Sequence, residues 1–383
     1  MHARSSNWRR FRRHEVRLIV TGGGTGGHVY PALEVARYAV AEGCEVIYFG
    51  SVRGLESRAA QKAGIPFQGF RASPLRKPWS PSGLRSFVGI LRSSSQARVA
   101  MRDWQPNAVF STGGYAAAPV LNAARSFGVP MVIHEQNSVP GRTNRLASRF
   151  ASAVCVVFEE ALRYFDGRAT VTGMPLRREL VEAAASQDGV RGTSRALDSA
   201  SGDRFFTLAL GGSQGSAALN AAVLTLATHV GTDAEEWLQV CGPSQFESCA
   251  RALERVGAPP HFTQQPFLET GELVEAYCRA DLAVTRAGTG VLCELALFGI
   301  PGIFVPYPHA HADHQRRNAE VISRLGGGTV IAQSELTPEH LTAAWRTWRE
   351  DEAKRQAASD TLRSWVIRDA TERIWNIITE VAQ

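Results

Sequence analysis

The chain of 383 residues is long enough for about two to three domains. Hydrophobic residues make up 44% and charged residues 20%, which excludes a chain that is disordered throughout. The formal net charge is +6, and residues 1–14 contain five arginines and no acid, so we expect a disordered basic tail there. A second basic segment, residues 57–102, has nine Lys or Arg side chains and no Asp or Glu. Such segments indicate an anionic partner: nucleic acid, a membrane surface or a phosphorylated substrate.

The six cysteines are scattered, without a C-x-x-C pair or a histidine at zinc-ligand spacing. They are typical of free thiols in a reducing compartment rather than of a disulfide framework. No apolar run reaches the roughly 18 residues that a membrane span needs, and no apolar signal region follows the basic N-terminus. These features predict a cytosolic protein that can touch a membrane only from that side.

The first half of the chain alternates strand-like and helix-like segments. A β-rich run at 16–20 ends in the glycine turn 21–28, and a helical pattern follows at 31–42 with a proline near its start. A second strand lies at 45–50. Strand, glycine turn, helix and strand form a βαβ unit, and such units build parallel sheets. Further strands are predicted at 108–110, 130–133 and 152–158.

The second half repeats this pattern. Residues 184–203 are small, polar and without periodicity, which predicts a linker. A strand at 204–210, a glycine turn at 211–216 and an Ala/Leu-rich helix at 217–227 follow. More strands are predicted at 237–240, 282–285 and 302–305, and the chain after residue 337 is predicted to be helical. The sequence therefore predicts two similar α/β halves.

A glycine turn between a buried strand and a helix lets backbone N–H groups approach a phosphate at the positive end of the helix. A single such turn can equally serve tight packing. Gly22, Gly24 and Gly27 can be matched to a dinucleotide fingerprint with Glu45 as the ribose acid, which leaves a nicotinamide enzyme open. A second turn at the equivalent place in the other half favours an enzyme with paired nucleotide-binding domains.

Several motifs together resemble the MurG family of bacterial lipid I N-acetylglucosaminyltransferases. They occur in the family's order, and the resemblance runs from about residue 16 to the C-terminus. They are T-G-G-G-T-G-G-H at 21–28, G-G-Y at 113–115, H-E-Q-N at 134–137, G-M-P-L-R at 173–177, G-G-S-Q-G at 211–215, D-H-Q-R-R-N-A at 313–319 and D-A-T-E-R at 369–373.

The resemblance implies an α/β protein of the GT-B class, with two Rossmann-like parallel-sheet domains facing a cleft. Residues 15–175 would form the acceptor-binding and membrane-facing domain, and 176–345 the UDP-sugar domain. Helices in 346–383 would pack back towards the N-terminal domain. The implied reaction moves N-acetylglucosamine, with inversion, from UDP-GlcNAc to the 4-hydroxyl of N-acetylmuramic acid on lipid I. Its product is lipid II, the precursor of peptidoglycan.

His28 and Glu135 are the two candidates for the general base that takes the proton of the attacking hydroxyl. An imidazole with a pKa near 6.5 suits that task. His28 can instead bind a phosphate or cap the helix, and Glu135 can instead orient its own loop, so both alternatives stay open.

The resemblance also assigns substrate contacts residue by residue. Contacts to UDP-GlcNAc fall on Thr25, Gly26, Gly27, Asn137, Arg177, Ser213, Leu268, Thr289, Gly290, Glu294 and Gln315. Contacts to the acceptor and its diphosphate fall on Gly22, Gly23, Gly24 and Tyr115. Ser213 would contact the donor diphosphate, Leu268 the base through its backbone, Glu294 the ribose hydroxyls and Gln315 the sugar. The family usually has alanine and a larger residue where this chain has Thr289 and Gly290.

No D-x-D motif occurs in the chain, so we expect neither an essential metal nor a cofactor. The basic and apolar side chains of residues 71–102 predict docking to the anionic inner leaflet, as a peripheral protein on the cytoplasmic face of the plasma membrane. A buried helix with a solvated basic edge is the alternative. Nucleic-acid binding is disfavoured because no recognised module accompanies the basic tail. Another GT-B transferase using a UDP-sugar, or less readily an NAD(P)-dependent oxidoreductase, remains an alternative activity.

Overall fold

The computed structural model describes residues 16–52, 54–70, 81–191, 204–212 and 215–383, without the side chains of 81–91 and 188–191. The predicted basic tail and residues 71–80 of the basic segment lie outside this range. The chain forms two compact units. One comprises the chain up to Pro175 together with Asp369–Gln383, and the other comprises Leu176–Arg368.

The N-terminal unit is built on a parallel sheet of seven strands in the order β3-β2-β1-β4-β5-β6-β7. The strands are β1 Arg17–Gly22, β2 Glu45–Ser51, β3 Phe67–Phe70, β4 Ala108–Gly113, β5 Met131–Glu135, β6 Ala153–Val156 and β7 Ala169–Val171. The helices are α1 Gly26–Ala41, α2 Glu56–Lys62, α3 Pro81–Trp104, α4 Ala118–Phe127 and α5 Arg142–Ala147, with a 3-10 helix at Glu159–Tyr164.

The C-terminal unit repeats the design with a parallel sheet of six strands in the order β10-β9-β8-β11-β12-β13. The strands are β8 Phe205–Leu210, β9 Glu235–Val240, β10 Phe262–Gln265, β11 Leu282–Thr285, β12 Gly302–Phe304 and β13 Gly328–Val330. The helices are α6 Arg178–Arg191, α7 Ala217–Val230, α8 Phe246–Val256, α9 Thr270–Arg279, α10 Thr289–Phe298, α11 His314–Arg324, α12 Pro338–Glu350 and α13 Glu352–Trp365. Two 3-10 helices lie at His311–Asp313 and Gln333–Glu335.

The central strands form because their apolar side chains are buried on both faces of each sheet. In β1 the side chains of Leu18, Ile19 and Val20 are fully buried, which is typical of a parallel strand covered by helices on both sides. The four strands that sequence patterning did not predict, β3, β7, β10 and β13, are the outermost strands of the two sheets. Edge strands bury fewer side chains, so their hydrophobic pattern is weaker.

Helix α1 starts earlier than the hydrophobic pattern predicts. It begins at Gly26, so Pro31 lies inside the helix rather than near its start. The last two glycines of the turn, Gly26 and Gly27, form the first residues of the helix, so the N-terminal end of α1 belongs to the turn itself. Helix α6 likewise extends to Arg191 and occupies the first part of the predicted linker 184–203.

The C-terminal segment 346–383 is divided between the two units. Helices α12 and α13 pack in the C-terminal unit, where Trp345 and Trp348 join its core. The last helix, α14 Ala370–Val381, belongs to the N-terminal unit and packs on α1. Its Ile374, Trp375 and Ile378 complete the apolar core behind β1.

Counted from its own first strand, the C-terminal sheet has the order 3-2-1-4-5-6, which is that of the Rossmann fold, and the N-terminal sheet has the same order with a seventh strand added at one edge. In such sheets ligands bind beyond the carboxyl ends of the strands, where the strand order reverses. That position lies between β1 and β4 in the N-terminal unit and between β8 and β11 in the C-terminal unit.

Candidate functional site

In the N-terminal unit the glycine turn leads from β1 into α1 at the switch point. Thr25 precedes the helix in extended conformation, and its side chain does not cap the helix. Within the described residues, the N–H groups of Gly26 and Gly27 have no hydrogen-bond partner. Free N–H groups at the start of a 16-residue helix, at the positive end of its dipole, can bind an anion.

The first glycine turn packs so closely against neighbouring atoms that a side chain at its first three glycines would overlap them. Gly23 donates its N–H to the Gly113 carbonyl at 3.1 Å, and Gly24 donates to the Glu56 carboxylate at 3.0 Å. Gly114 has φ +81°, and a Cβ on it would lie 1.9 Å from the Gly23 carbonyl oxygen. Tyr115 packs against Gly24. The turns after β1 and β4 therefore form one rigid surface.

His28 is the third residue of α1 and is half-buried. Its Nδ1 lies 2.8 Å from the Oε1 of Gln136, and its backbone carbonyl accepts a hydrogen bond from the Thr112 hydroxyl at 2.7 Å. The glycine turn and the H-E-Q-N motif, 108 residues apart at this contact, are thereby brought together.

Glu135 is fully buried, and its carboxylate accepts four hydrogen bonds. The donors are the backbone N–H and side-chain amide of Asn137 at 2.9 and 3.1 Å, the Gly141 N–H at 3.0 Å and the Asn144 side-chain amide at 2.9 Å. Both of its oxygens are occupied within its own loop. This arrangement suits a residue that holds the loop and places Asn137, rather than a base that meets a hydroxyl.

In the C-terminal unit the second glycine turn follows β8. Ser213 lies outside the described residues. Gly215 has φ +75°, and a Cβ there would lie 2.2 Å from the Cys241 carbonyl oxygen. Ser216 caps α7 by accepting the Leu219 N–H, and it also accepts a hydrogen bond from Arg286 at 2.6 Å. This turn, like the first, is placed by close backbone packing.

Arg286 directly follows β11, and sequence reasoning assigned it no role. Its guanidinium is buried and binds the carbonyls of Val305 and Pro306, the Ser216 hydroxyl and the Gln333 side chain. Burial lowers its pKa from the usual value, yet an arginine side chain stays charged in proteins. Arg286 therefore places a fixed positive charge behind the second glycine turn.

Helix α10 starts at Thr289, after Gly288 as its N-cap. The buried Thr289 hydroxyl accepts a hydrogen bond from the Asn318 side chain at 3.0 Å, which ties α10 to α11. A Cβ on Gly290 would meet no atom within 4 Å. Of these two predicted contacts, Thr289 has its hydroxyl engaged inside the unit, whereas Gly290 faces open space.

Glu294 lies in the second turn of α10, and both of its carboxylate oxygens are held. Arg177 approaches Oε1 at 3.2 Å and also binds the Thr270 hydroxyl at 3.3 Å. The buried Tyr277 hydroxyl donates to Oε2 at 2.7 Å. Burial, with Glu294 beside it, raises the Tyr277 pKa well above its usual value, so the phenol stays protonated and remains a donor.

Two further predicted residues lie in the C-terminal unit. Gln315, the second residue of α11, accepts the Tyr307 N–H through Oε1 at 2.9 Å, which leaves its amide N–H group without a partner among the described residues. Leu268 has a buried side chain just before α9. Arg178, the neighbour of Arg177 in the chain, is exposed and pairs with Glu182 at 2.6 Å.

The structure thus groups the predicted residues into two sets. One set, which contains His28, Tyr115, Glu135 and Asn137, belongs to the N-terminal unit, and the other, which contains Arg177, Glu294 and Gln315, belongs to the C-terminal unit. Gln136, Asn144, Tyr277 and Arg286 join these sets without having been predicted. H-E-Q-N was a signal for Gln136, while the others depend on contacts between distant segments.

Comparison with known families decides where the chain belongs. The model of the glycosyltransferase family 28 N-terminal domain matches residues 18–156, and that of the glycosyltransferase family 28 C-terminal domain matches residues 207–374. The chain belongs to glycosyltransferase family 28. These matches confirm the predicted fold class, an α/β protein with two Rossmann-like parallel-sheet domains of the GT-B type.

Family 28 relatives cover nearly the full length of the chain. A Bacillus licheniformis protein named UDP-N-acetylglucosamine–N-acetylmuramyl-(pentapeptide) pyrophosphoryl-undecaprenol N-acetylglucosamine transferase is 34% identical over 372 residues, covering 96% of this chain and 99% of the relative. A Geobacter metallireducens protein of the same name is 34% identical over 365 residues, covering 94% and 97%. The crystal structure of Acinetobacter baumannii MurG matches with a TM-score of 0.76 at 29% identity, covering 96% and 99%. The resemblance to the MurG family is confirmed.

Two further sequence predictions concern membrane-spanning helices and the cysteines. Among the described helices of this family 28 protein, none is both long enough and apolar enough to cross a bilayer. None of the six cysteines, all of which the structure describes, forms a disulfide, and five of them are buried.

Proposed function

We propose that the protein transfers N-acetylglucosamine from UDP-GlcNAc to the 4-hydroxyl of N-acetylmuramic acid on lipid I, with inversion, forming lipid II for peptidoglycan synthesis. The observation that carries this proposal is the glycine turn at each switch point, one per unit, in a chain whose full-length relatives bear this activity in their names. One turn suits the diphosphate of the acceptor and the other the diphosphate of the donor.

We assign donor binding mainly to the C-terminal unit. Glu294, with both oxygens oriented by Arg177 and Tyr277, accepts from the ribose hydroxyls, and a carboxylate can accept from two vicinal hydroxyls. The amide N–H group of Gln315 donates hydrogen bonds to the sugar hydroxyls. Leu268 offers its backbone to the base, and the start of α10 at Gly290 faces the nucleotide. Ser213, in the second turn, contacts the diphosphate.

The first glycine turn carries the remaining contacts. Gly22, Gly23, Gly24 and Tyr115 face the acceptor diphosphate, while Thr25, Gly26, Gly27 and Asn137 contact UDP-GlcNAc. The free N–H groups at the start of α1 support this assignment because they favour negative charge. The four hydrogen bonds of Glu135 support a role in positioning Asn137.

We assign the general base to His28. The 4-hydroxyl oxygen forms a bond to the anomeric carbon as the bond from that carbon to the β-phosphate oxygen breaks, and Nε2 of His28 takes the hydroxyl proton. The electron pair leaves with UDP. Backbone N–H groups at helix starts and the buried charge of Arg286 stabilise the charge that develops there.

We propose that the protein works peripherally on the cytoplasmic face of the plasma membrane, where its lipid acceptor lies. The described half of α3 buries Ser93, Ala97 and Met101 and exposes Arg92, Arg98 and Arg102. The docking prediction for 71–102 rests otherwise on side chains outside the described residues. Basic residues near an anionic leaflet contribute about 1 kcal/mol each. Liposome flotation tests this: binding should require anionic lipid and weaken with salt, and binding that ignores both would contradict it.

A ligand titration followed by melting temperature tests the donor assignment. UDP-GlcNAc should increase the free energy of unfolding by RT ln(1 + [L]/Kd) and so raise the melting temperature. UDP-glucose should raise the melting temperature less, and NADH and duplex DNA should leave it unchanged. Stabilisation by NADH without stabilisation by UDP-GlcNAc would favour the oxidoreductase alternative. Stabilisation by UDP-glucose above UDP-GlcNAc would favour another GT-B transferase.

A further inference from the structure

A chain of side-chain hydrogen bonds runs inward from His28 and ends on a backbone carbonyl. His28 Nδ1 contacts Gln136 Oε1 at 2.8 Å, and Gln136 Nε2 contacts His134 Nδ1 at 2.9 Å. His134 Nε2 contacts the Gly173 carbonyl oxygen at 2.9 Å. Both Gln136 and His134 are buried. The chain thus connects the proposed general base to the interior of the N-terminal unit.

The direction of every bond in this chain is determined by its inner end. The Gly173 carbonyl can only accept, so His134 must carry a proton on Nε2 and accept at Nδ1. The Gln136 amide N–H group also donates to the His134 carbonyl at 2.8 Å, which orients the amide independently. Gln136 Oε1 therefore faces His28 as an acceptor, and His28 can donate to it only when Nδ1 carries a proton.

We propose that Gln136 is a positioning residue that holds His28 in the tautomer with the proton on Nδ1, so that the Nε2 lone pair is free to take the acceptor proton. This inference rests on the proposed function of His28. No described residue hydrogen-bonds Nε2, which is the nitrogen left for the substrate. A solvated histidine side chain favours the opposite tautomer, with the proton on Nε2, so the amide imposes the form that catalysis needs.

The inner histidine is suited to anchor this arrangement. Burial lowers the pKa of His134 from 6.5 to about 4, with the charge of His28 acting in the same direction. His134 is therefore neutral near pH 7 and keeps one donor and one acceptor nitrogen. A protonated His134 would present N–H groups on both sides and could no longer accept the hydrogen bond from the Gln136 amide.

Besides His134, further titratable groups of the described residues lie around His28 or the turn that precedes it. Glu56 on α2 and Tyr115 after β4 flank the glycine turn, and Glu135 lies beside Gln136 with its oxygens occupied. Substitutions of Gln136 leave all three in place. Differences between the pH profiles of such variants therefore reflect the change in the group that faces His28 Nδ1.

The pH dependence of kcat/KM for GlcNAc transfer to a lipid I analogue tests the proposal with two variants. Gln136→Glu places a carboxylate beside Nδ1, favours the imidazolium and should move the acid limb of the profile up by about 1 to 3 pH units. Gln136→Met removes the acceptor and should move the limb down and lower kcat by about tenfold, with KM for UDP-GlcNAc within about twofold of wild type. Gln264→Met, which removes an amide donor on edge strand β10, should leave the profile unchanged.

Nitrogen-15 NMR of histidine-labelled full-length protein gives a reading independent of activity. The His28 resonances, assigned by their loss in His28→Gln, should show a proton on Nδ1 in wild type and a shift towards the Nε2-protonated form in Gln136→Met. A wild-type His28 protonated on Nε2, or limbs that do not move in opposite directions, would overturn the inference. Failure of the proposed function is distinguishable, because His28→Gln would then keep turnover near wild type whatever the tautomer.

Discussion

Arg177 and Glu294 form an ion pair at 3.2 Å although 117 residues separate them in the chain. The pair joins the residue just before α6 to the second turn of α10. The family resemblance implies a nucleotide contact for each residue separately, and the structure shows that the two side chains are paired with each other. A fixed carboxylate loses less entropy when it binds the ribose than a mobile one would.

Glu294→Gln should raise KM for UDP-GlcNAc by about 10- to 100-fold and leave kcat nearly unchanged. The substitution removes a charged acceptor and its ion pair, and hydrogen bonds to charged groups are worth about 1.5–3 kcal/mol. Steady-state kinetics with varied donor measures the effect. The matched control is Glu182→Gln, which removes the partner of Arg178 in an exposed pair on α6 and should change KM by less than about twofold, because solvent screens an exposed ion pair and leaves it little net effect. Equal effects of the two variants would contradict the assignment.

Tyr277→Phe should weaken donor binding by about 5- to 20-fold while the protein remains folded. The variant keeps the packing of the ring against Phe298 and removes only the hydroxyl that donates to Glu294 at 2.7 Å, a loss of about 1–2 kcal/mol. Isothermal titration with UDP measures it. An unchanged dissociation constant would show that Arg177 alone suffices to orient Glu294.

Gly114→Ala should destabilise the protein by at least about 3 kcal/mol, because the new Cβ would overlap the Gly23 carbonyl as well as occupy a left-handed backbone position. Gly128→Ala is the matched control. It has φ +65° but no atom within 4 Å of the added Cβ, so only the backbone cost of about 1–2 kcal/mol applies. Denaturant unfolding of both variants gives the difference. Similar losses in the two variants would mean that the turns after β1 and β4 are not in rigid contact.

The free energy of unfolding should fall as the pH drops from about 6.5 to 4, partly because of His134. Its pKa is about 4 in the folded protein and 6.5 when unfolded, so the unfolded chain binds the extra proton over this range, at a cost of about 3 kcal/mol in full. The contribution is complete above pH 6.5 and lost near pH 4. Urea unfolding at several pH values should show a flatter dependence in His134→Gln than in wild type. Parallel curves would contradict the buried neutral state.

The central strands and both glycine turns follow from the sequence because burial on two faces leaves continuous apolar runs, as in Leu18–Ile19–Val20. The edge strands β3, β7, β10 and β13 cannot be predicted in this way, because half-buried strands such as Phe262–Gln265 carry few apolar residues. The hydrophobic pattern predicts too late a start for α1, since glycine is a poor helix former and its role at a helix start depends on the turn.

The site could be predicted only where a motif keeps its residues close together in the chain. His28 and Glu135 stand out in the sequence, yet neither the contact from His28 to Gln136 nor the one from Asn144 to Glu135 is visible there. The Tyr277 hydroxyl that orients Glu294 is likewise supplied by a neighbouring helix. Such contacts arise from tertiary packing, which no local pattern encodes.

The central claim is transfer of N-acetylglucosamine to lipid I with His28 as the base. The most direct measurement follows labelled UDP-GlcNAc and a lipid I analogue, both saturating, with wild type and His28→Ala. Wild type should form a β-linked product at the 4-hydroxyl, and His28→Ala should lose about 10²- to 10⁴-fold in turnover, as general base catalysis predicts. No labelled product from wild type would contradict the proposed reaction, and a loss below about tenfold in His28→Ala would remove His28 as the base.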